Sequence, residues 1–215
     1  FPSISGELLR LLQPYITLGE KLGSLQGQLT DYLPAEISIE YRGSITEWNL
    51  SAVTNAFLKG LFSHMLSDVV VNYVNAPALA KERGLKVIES KVTEHEDFSS
   101  LMTATIRNKE KSFSVSGTIF GKKHPRIVRI NDFYLEAVPE GKILVVHNHD
   151  KPGVIGNIGT LLGENKINIA RMQLGLQKGK SEAIALYNIE GNTTPVLLKK
   201  LEAIPNIISV KEVVL

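Results

Sequence analysis

The stretch KILVVHNHDKPGVIGNIGTLLGENKINIARMQLG, residues 142–175, predicts a strand, a helix and a second strand. Residues 142–147 are mainly apolar and fit a strand, and Pro152 favours the start of a helix over 152–164 because its fixed dihedral angle suits that position. Residues 167–175 form the next strand. A further strand, helix and strand are predicted at 181–188, 194–202 and 206–214. This βαββαβ order is the ferredoxin-like pattern.

The residues before this domain predict a long helix followed by an α+β domain. Apolar side chains recur every three or four positions over 5–33, which indicates one long helix or two joined ones, with Pro14 expected to kink or interrupt it. Gly19, Gly23 and Gly27 share one face of this helix and would let a neighbouring element approach closely. The remaining elements are strands at 35–42, 98–107, 112–120, 126–130 and 133–138, and helices at about 51–66 and 77–83. They indicate a mainly antiparallel sheet, and Trp48 is expected to pack at a turn.

The composition of the 215-residue chain excludes several classes of protein. Because there are no cysteines, disulfides, a cysteine nucleophile, thiolate-bound zinc and cysteine-ligated clusters are excluded. The net charge of +2 gives no overall basic field, so no nucleic acid partner is predicted. No apolar run approaches membrane-spanning length. Since the first residue is Phe1 rather than Met, we expect a fragment or a processed product.

Short polar residues just before the helix at 152–164 form the first candidate site. Asn148 and Asp150 share one side of the strand, whereas His147 and His149 share the other. The first N–H groups of the helix lack partners within it, and that end carries partial positive charge, so a ligand carboxylate can bind there beside Gly153. Asp150 can hold an ammonium group, and Asn148 can bind a small side chain. The segment therefore predicts a site for an α-amino acid.

Other interpretations of this segment stay open. Asn148 and Asp150 could form an Asx turn that caps the helix and binds nothing. The two histidines could face one metal ion, but no third ligand is indicated locally, so no metal site is predicted. Gly156 and Gly159 are interpreted as packing glycines rather than as part of a nucleotide fingerprint.

A second candidate site lies at GKKHPRIVRI, residues 121–130, where positive charge gathers on a glycine-led loop. Small anions bind where such donors converge with hydroxyl groups. The predicted donors are Lys122, Lys123, His124, Arg126, Ser116 and Thr118. The alternative is a solvated run of charge. Arg129 has the opposite strand parity to Arg126, so the two are not expected to reach one ligand.

The sequence resembles a known family along essentially its whole length. HNHDKPGVIGNIGTLLGENKINIARMQLG resembles the start of an ACT domain, the ferredoxin-like module that binds amino acids in many regulated enzymes; its marks are the D-x-P-G-x-[IL] turn and the N-I before the second strand. The segments LGEKLGSLQGQL, VNYVNAPALAKERG, SVSGTIFGKKHPRIVRI and LEAVPEGKILVV are similar, in that order, to the C-terminal half of long-type D-3-phosphoglycerate dehydrogenases.

The resemblance implies how the chain is divided. Residues 1–33 would be the helical tail of an absent substrate-binding domain. Residues 34–139 would be the intervening, or allosteric-substrate-binding, domain, and residues 140–215 would be the ACT domain. No catalytic residue is expected in this chain, and NAD would bind in the absent catalytic half.

The resemblance also implies a function. Enzymes of this family oxidise 3-phosphoglycerate with NAD in serine synthesis, so the chain would regulate a cytoplasmic enzyme. L-serine would bind between paired ACT domains of a homodimer or tetramer, at Asn148 and Asp150 of one subunit and Asn168 of the other. A phosphate-bearing effector would bind in the intervening domain. Two alternatives are a regulatory subunit of the L-serine dehydratase type and a free-standing amino-acid sensor.

Overall fold

The chain folds as two units, of which the first ends at Asn131 and the second is Asp132–Leu215. The computed structural model describes residues 6–94, 97–177 and 179–215. Both units contain helices and strands, which confirms the predicted α+β class. The domain boundaries predicted after residues 33 and 139 stay predictions. Among the described helices, none combines the length and the apolar character needed to cross a membrane.

The first unit is a five-stranded sheet with helices packed against it. Its helices are α1 (Gly6–Leu29), α2 (Ser51–Met65) and α3 (Ala76–Glu82), and its strands are β1 (Glu36–Gly43), β2 (Lys86–Val92), β3 (Ser100–Arg107), β4 (Ser112–Phe120) and β5 (His124–Ile130). The strand order is β5-β4-β3-β1-β2. Only β1 and β2 run parallel, so this sheet is mainly antiparallel, as expected. Every second residue of β1 is buried, which places Ile37, Ile39 and Tyr41 in the core.

Glycines let the backbones of α1 and α2 touch. A β-carbon added at Gly23 would lie 2.1 Å from the carbonyl oxygen of Phe57, and one added at Gly60 of α2 would lie 2.2 Å from that of Glu20. One added at Gly19 would lie 2.8 Å from another α2 carbonyl. No larger residue fits at these distances without moving a helix. The close approach predicted from the glycine spacing is confirmed, and α2 is the neighbouring element.

Helix α1 runs through Pro14 as a single helix. A proline inside a helix removes one hydrogen bond, but Leu12 before it and Ile16 and Leu18 after it are at most 3% exposed. Burial of this apolar stripe on both sides of the proline outweighs the lost bond, because tertiary packing supplies most helical stability. Of the two predicted alternatives, one long helix is therefore correct. Its predicted first residue, at position 5, lies outside the described residues.

A carboxylate on α1 connects three segments of the first unit. Glu20 accepts hydrogen bonds from Lys59 of α2 and from the hydroxyl of Tyr73 in the loop that follows α2. Burial acts to raise the pKa of Glu20, but the two hydrogen bonds and the positive charges of Lys59 and Lys21 together outweigh burial and hold this pKa below the ordinary glutamate value. Burial, together with the Glu20 carboxylate, raises the pKa of Tyr73 to about 12.

The second unit has the predicted ferredoxin-like order. Its elements are β6 (Phe133–Ala137), β7 (Lys142–His149), α4 (Val154–Glu164), β8 (Asn168–Leu176), β9 (Glu182–Glu190), α5 (Pro195–Glu202) and β10 (Ile207–Val214). The strand order is β10-β7-β9-β8-β6, and neighbouring strands are antiparallel. The core forms where Leu144 and Tyr187 of the sheet join Ile158 and Leu162 of α4 and Leu201 of α5. Burial raises the pKa of Tyr187 to about 12, so its phenol stays neutral there.

We expect Gly23→Ala to lower the free energy of unfolding by about 2–4 kcal/mol, because the added methyl group collides with backbone atoms that cannot rotate away. Urea denaturation of the chain measures this. Gly6→Ala is the matched control, since a β-carbon at Gly6 would meet no atom within 4 Å. Equal unfolding midpoints for the two variants would contradict the proposed contact.

We expect Glu20→Gln to lower stability at neutral pH, and the difference from the unaltered chain to shrink as the solution becomes acidic. The pKa of Glu20 is lowered in the folded state, so its stabilising contribution is present above the unfolded-state pKa and is lost as pH falls through the folded-state pKa. Urea denaturation at a series of pH values between neutral and strongly acidic measures the difference. A difference that stays constant over this range would show that the charge on Glu20 is irrelevant.

Candidate functional site

Three of the four predicted effector residues gather where β7 ends and α4 begins. Asn148 is 4% exposed, and its Nδ2 donates a hydrogen bond to the carbonyl oxygen of His149 at 2.8 Å. Asp150 is exposed and is held by its backbone N–H, which donates to the carbonyl oxygen of Ser181 at 2.7 Å. Gly153 precedes the helix with a φ of +91°, and a β-carbon there would meet no atom within 4 Å. The backbone at Gly153 is therefore open to an approaching molecule.

Among the residues that the structure describes, no side chain caps the N terminus of α4. The carboxylate of Asp150 forms no hydrogen bond or ion pair within the described part of the chain, so it does not act as an Asx cap. A free carboxylate thus precedes the first amide groups of α4 by a few residues. The amide groups favour an anion, and the carboxylate favours a cation. This arrangement suits a small zwitterion.

Asn168 lies at the opposite end of the same sheet. Asn148 pairs with Ala183 of β9, whereas Asn168 pairs with Glu190, seven residues further along that strand. This separation corresponds to about 23 Å. The Nδ2 of Asn168 donates to the carboxylate of Glu190 at 2.8 Å. Within one chain, Asn168 and Asp150 therefore cannot contact the same small ligand.

Pairing of two chains along β8 would bring these residues together. Within the described ranges, the outer edge of β8 meets β6 only at the Tyr134–Leu176 pair, so the half of β8 nearest Asn168 has no neighbouring strand on that side. A two-fold axis normal to the sheet would pair β8 with a second β8 running antiparallel. The same rotation would move Asn168 of the partner subunit toward the end where α4 begins. Pairing through β10, at the other edge, would leave Asn168 of the partner subunit far from the start of α4.

The two histidines of this segment have different surroundings. Nε2 of His147 lies 2.9 Å from Oε2 of Glu182, and its ring meets the ring of Phe133 edge-on at 5.7 Å between centroids. His149 is exposed. Nowhere in residues 6–94, 97–177 or 179–215 do three His, Asp or Glu side chains form a group that could hold a metal ion.

Within one chain, Gly156 and Gly159 do not act as packing glycines. A β-carbon at either position would meet no atom within 4 Å. Helix α4 buries Val154, Ile158 and Leu162 instead, whereas Gly156 is exposed and Gly159 is half-buried. Helical periodicity could have revealed this, because neither glycine is spaced three or four residues from two members of the buried stripe.

The predicted anion donors do not all converge. The hydroxyl of Thr118 is buried and donates to the carbonyl oxygen of Ser100 at 2.5 Å, and the buried hydroxyl of Ser116 lies 2.9 Å from that of Thr103. Both hydroxyls are therefore engaged within the sheet. The exposed members of the predicted set are Lys122, Lys123 and His124.

Arg126 and Arg129 lie on the same side of the sheet, so the expectation based on strict alternation is wrong. The β4–β5 register shifts by one residue, pairing Thr118 with Arg126 and Ser116 with Arg129. The extra residue, Val128, is a β-bulge that restores a common face. Arg126 donates to the carbonyl oxygen of the residue before it and lies over an aromatic ring of β4, 5.6 Å from the centroid. A bulge has no clear signal in this stretch of sequence.

Comparison with known proteins agrees with both units. Residues 11–131 match the family described as the D-3-phosphoglycerate dehydrogenase intervening domain, and residues 142–206 match the ACT domain family. The D-3-phosphoglycerate dehydrogenase of Methanocaldococcus jannaschii is 34% identical over 206 residues, which are 96% of this chain and 39% of that enzyme. That of Bacillus subtilis is 31% identical over 98% of this chain and 40% of the enzyme. The chain thus spans about two fifths of the length of these relatives.

We expect Gly153→Ala and Gly156→Ala to change the free energy of unfolding in opposite directions. Alanine at Gly153 must adopt a left-handed conformation, which costs about 1–2 kcal/mol. At Gly156 it replaces a helical glycine in open space and is expected to stabilise the chain by about 0.5–1 kcal/mol. Urea denaturation of both variants checks the two signs. Two changes of the same sign would contradict the assigned start of α4.

Proposed function

The chain belongs to the D-3-phosphoglycerate dehydrogenase family, and we propose that it is the regulatory segment of such an enzyme, binding L-serine at paired ACT domains. The parent enzyme would oxidise 3-phosphoglycerate with NAD in the cytoplasm, as part of serine synthesis. NAD and the catalytic residues would belong to the part of the relatives that this chain does not cover. The chain alone would therefore be inactive.

The uncapped N terminus of α4 beside the free carboxylate of Asp150 carries this proposal. The carboxylate of an α-amino acid would accept hydrogen bonds from the amide groups that follow Gly153, while its ammonium group would donate to Asp150. Hydrogen bonds that involve an ionised group are roughly twice as strong as neutral ones. Gly153 supports this arrangement because nothing shields the backbone there.

Asn148 and Asn168 would complete the site. Asn148 lies on the same side of β7 as Asp150 and is almost fully buried, so it would form the floor beside the side chain of the ligand. Asn168 would come from the partner subunit across the paired β8 edges. A ligand with a small hydroxylated side chain, such as serine, matches amide groups that both donate and accept.

Regulation would follow from sharing the ligand between two chains. A ligand that contacts both chains adds free energy only to the arrangement in which the two half-sites are aligned. A coupling of about 1–3 kcal/mol between this arrangement and the catalytic part would change activity measurably. The intervening domain and α1 would carry this preference to the rest of the enzyme.

We expect the chain to bind L-serine with measurable heat, and Asp150→Ala to weaken binding by about tenfold or more, because the ammonium group loses its charged partner. Calorimetric titration checks this. Glu202→Ala is the control, since Glu202 is an exposed acid on α5, away from the β8 edge. Serine heats that are the same for both variants would rule out Asp150 as the amine partner.

Mixed dimers test whether the site is shared between subunits. Asp150→Ala and Asn168→Ala homodimers should each lack both sites. A dimer of one chain of each variant would have one site with both changes and one intact site, so it should bind one serine per dimer. Calorimetry on differently tagged, co-purified chains measures this stoichiometry. If the mixed dimer binds no serine, the site is not shared between the two chains, and the proposal is contradicted.

A further inference from the structure

A cleft of about 900 Å³ in the first unit has both cationic and aromatic residues in its wall. It lies between the N-terminal half of α1, the turn before α2 and the β4–β5 turn. The cations in its wall are Arg10, Lys122 and Lys123, and the aromatic residues are Tyr15 and Trp48. We propose that this cleft binds an organic anion that carries a flat ring, of the nucleoside phosphate class.

The three cations lack compensating acids. In the described residues, none of the three forms an ion pair, and no Asp or Glu is found in the wall of the cleft. Elsewhere in the first unit, cations such as Lys59 and Lys111 pair with carboxylates. Three unpaired positive charges around one cleft create a field that attracts a polyanion, and a phosphate chain offers several acceptors to them.

Lys122 is held in a conformation that lysine disfavours. Its φ is +67° and that of Gly121 is +54°, and the N–H of Lys123 donates to the carbonyl oxygen of Phe120 at 3.2 Å. A turn with two consecutive positive φ values normally takes glycine or asparagine. Disfavoured backbone conformations that persist are concentrated at functional sites. Contact between Lys122 and a ligand would account for a lysine at this position.

The aromatic residues are fixed in place before any ligand arrives. The hydroxyl of Tyr15 lies 2.7 Å from that of Ser100, and its ring centroid lies 6.2 Å from that of Trp48. Lys91 donates to the carbonyl oxygens of Trp48 and Thr46, which holds the turn that carries Trp48. Trp48 thus packs, as predicted, and also lines the cleft. A ring in the ligand would find a preformed surface, which reduces the entropy lost on binding.

The size of the cleft separates this ligand from a simple anion. Inorganic phosphate would occupy a small part of about 900 Å³, whereas clefts of roughly 300–1,000 Å³ accommodate molecules of drug or cofactor size. Of the six anion donors predicted from the sequence, only Lys122 and Lys123 line the cleft. The proposal does not depend on the amino-acid site of the second unit.

The test uses Trp48, the only tryptophan of the chain, as a reporter. Titration with ADP at constant ionic strength is expected to give a saturable change in tryptophan fluorescence. Arg10→Ala combined with Lys123→Ala should weaken ADP binding by about tenfold or more. Lys199→Ala, an exposed lysine of α5, is the control and should bind ADP normally. Adenosine and pyrophosphate should each bind more weakly than ADP. Adenosine can contact only the aromatic residues of the wall, and pyrophosphate only the cations.

Lys122→Gly separates a binding role from a structural one. Glycine relieves the disfavoured conformation, so this variant should unfold at a higher urea concentration than the unaltered chain and yet bind ADP less tightly. The proposal fails if ADP gives no saturable change, or if Lys122→Gly binds ADP as well as the unaltered chain does. It also fails if Lys199→Ala weakens binding equally, or if pyrophosphate alone binds as tightly as ADP.

Discussion

The contact between the backbones of α1 and α2 positions the rest of the first unit. With Gly23 and Gly60 at the crossing, α1 lies close to α2, and Leu18 and Leu22 pack over Gly117 of β4. Further along α1, the buried amide of Gln26 donates to carbonyl oxygens of β3 and β4, which fixes the helix on the sheet. Because α1 is held along its length, its first half lies beside the β4–β5 turn, which is more than a hundred residues away in the sequence. This packing of α1 forms one wall of the cleft.

The second unit leaves the start of α4 without a side-chain cap in the described residues. A serine or asparagine cap before α4 would satisfy its first amide groups. The chain has glycine there instead, and a carboxylate that bonds to no described residue. The start of α4 is thus less stable than a capped helix would be. A charged ligand bound there could supply hydrogen-bond partners to the amide groups and to the carboxylate. Asn168 lies at the far end of the sheet, so under the proposed function it would reach that ligand only from a second chain.

Much of this structure was predictable from periodicity, and the exceptions have physical causes. The glycine spacing of α1 indicated a close contact because four-residue spacing fixes one helical face. The strand–helix order of residues 142–214 indicated the ferredoxin-like unit because each element has a clear period. The sequence did not reveal the common face of Arg126 and Arg129, since one bulged residue reverses the alternation without leaving a signature. Nor could the sequence predict that Arg10 and Lys122 line the same cleft, because this depends on tertiary packing. The roles of Asn148, Asp150, Gly153 and Asn168 in binding stay predictions.

The half-open edge of β8 also limits growth of an assembly through that edge. If two chains pair through it about a two-fold axis, each β8 covers the unpaired segment of the other, and nothing remains at this edge to recruit a third chain. Growth by this surface is therefore self-terminating, unlike head-to-tail strand addition, which propagates into fibres. A tetramer would need a second, chemically different surface. Its formation could then be tuned without disturbing the shared ligand site.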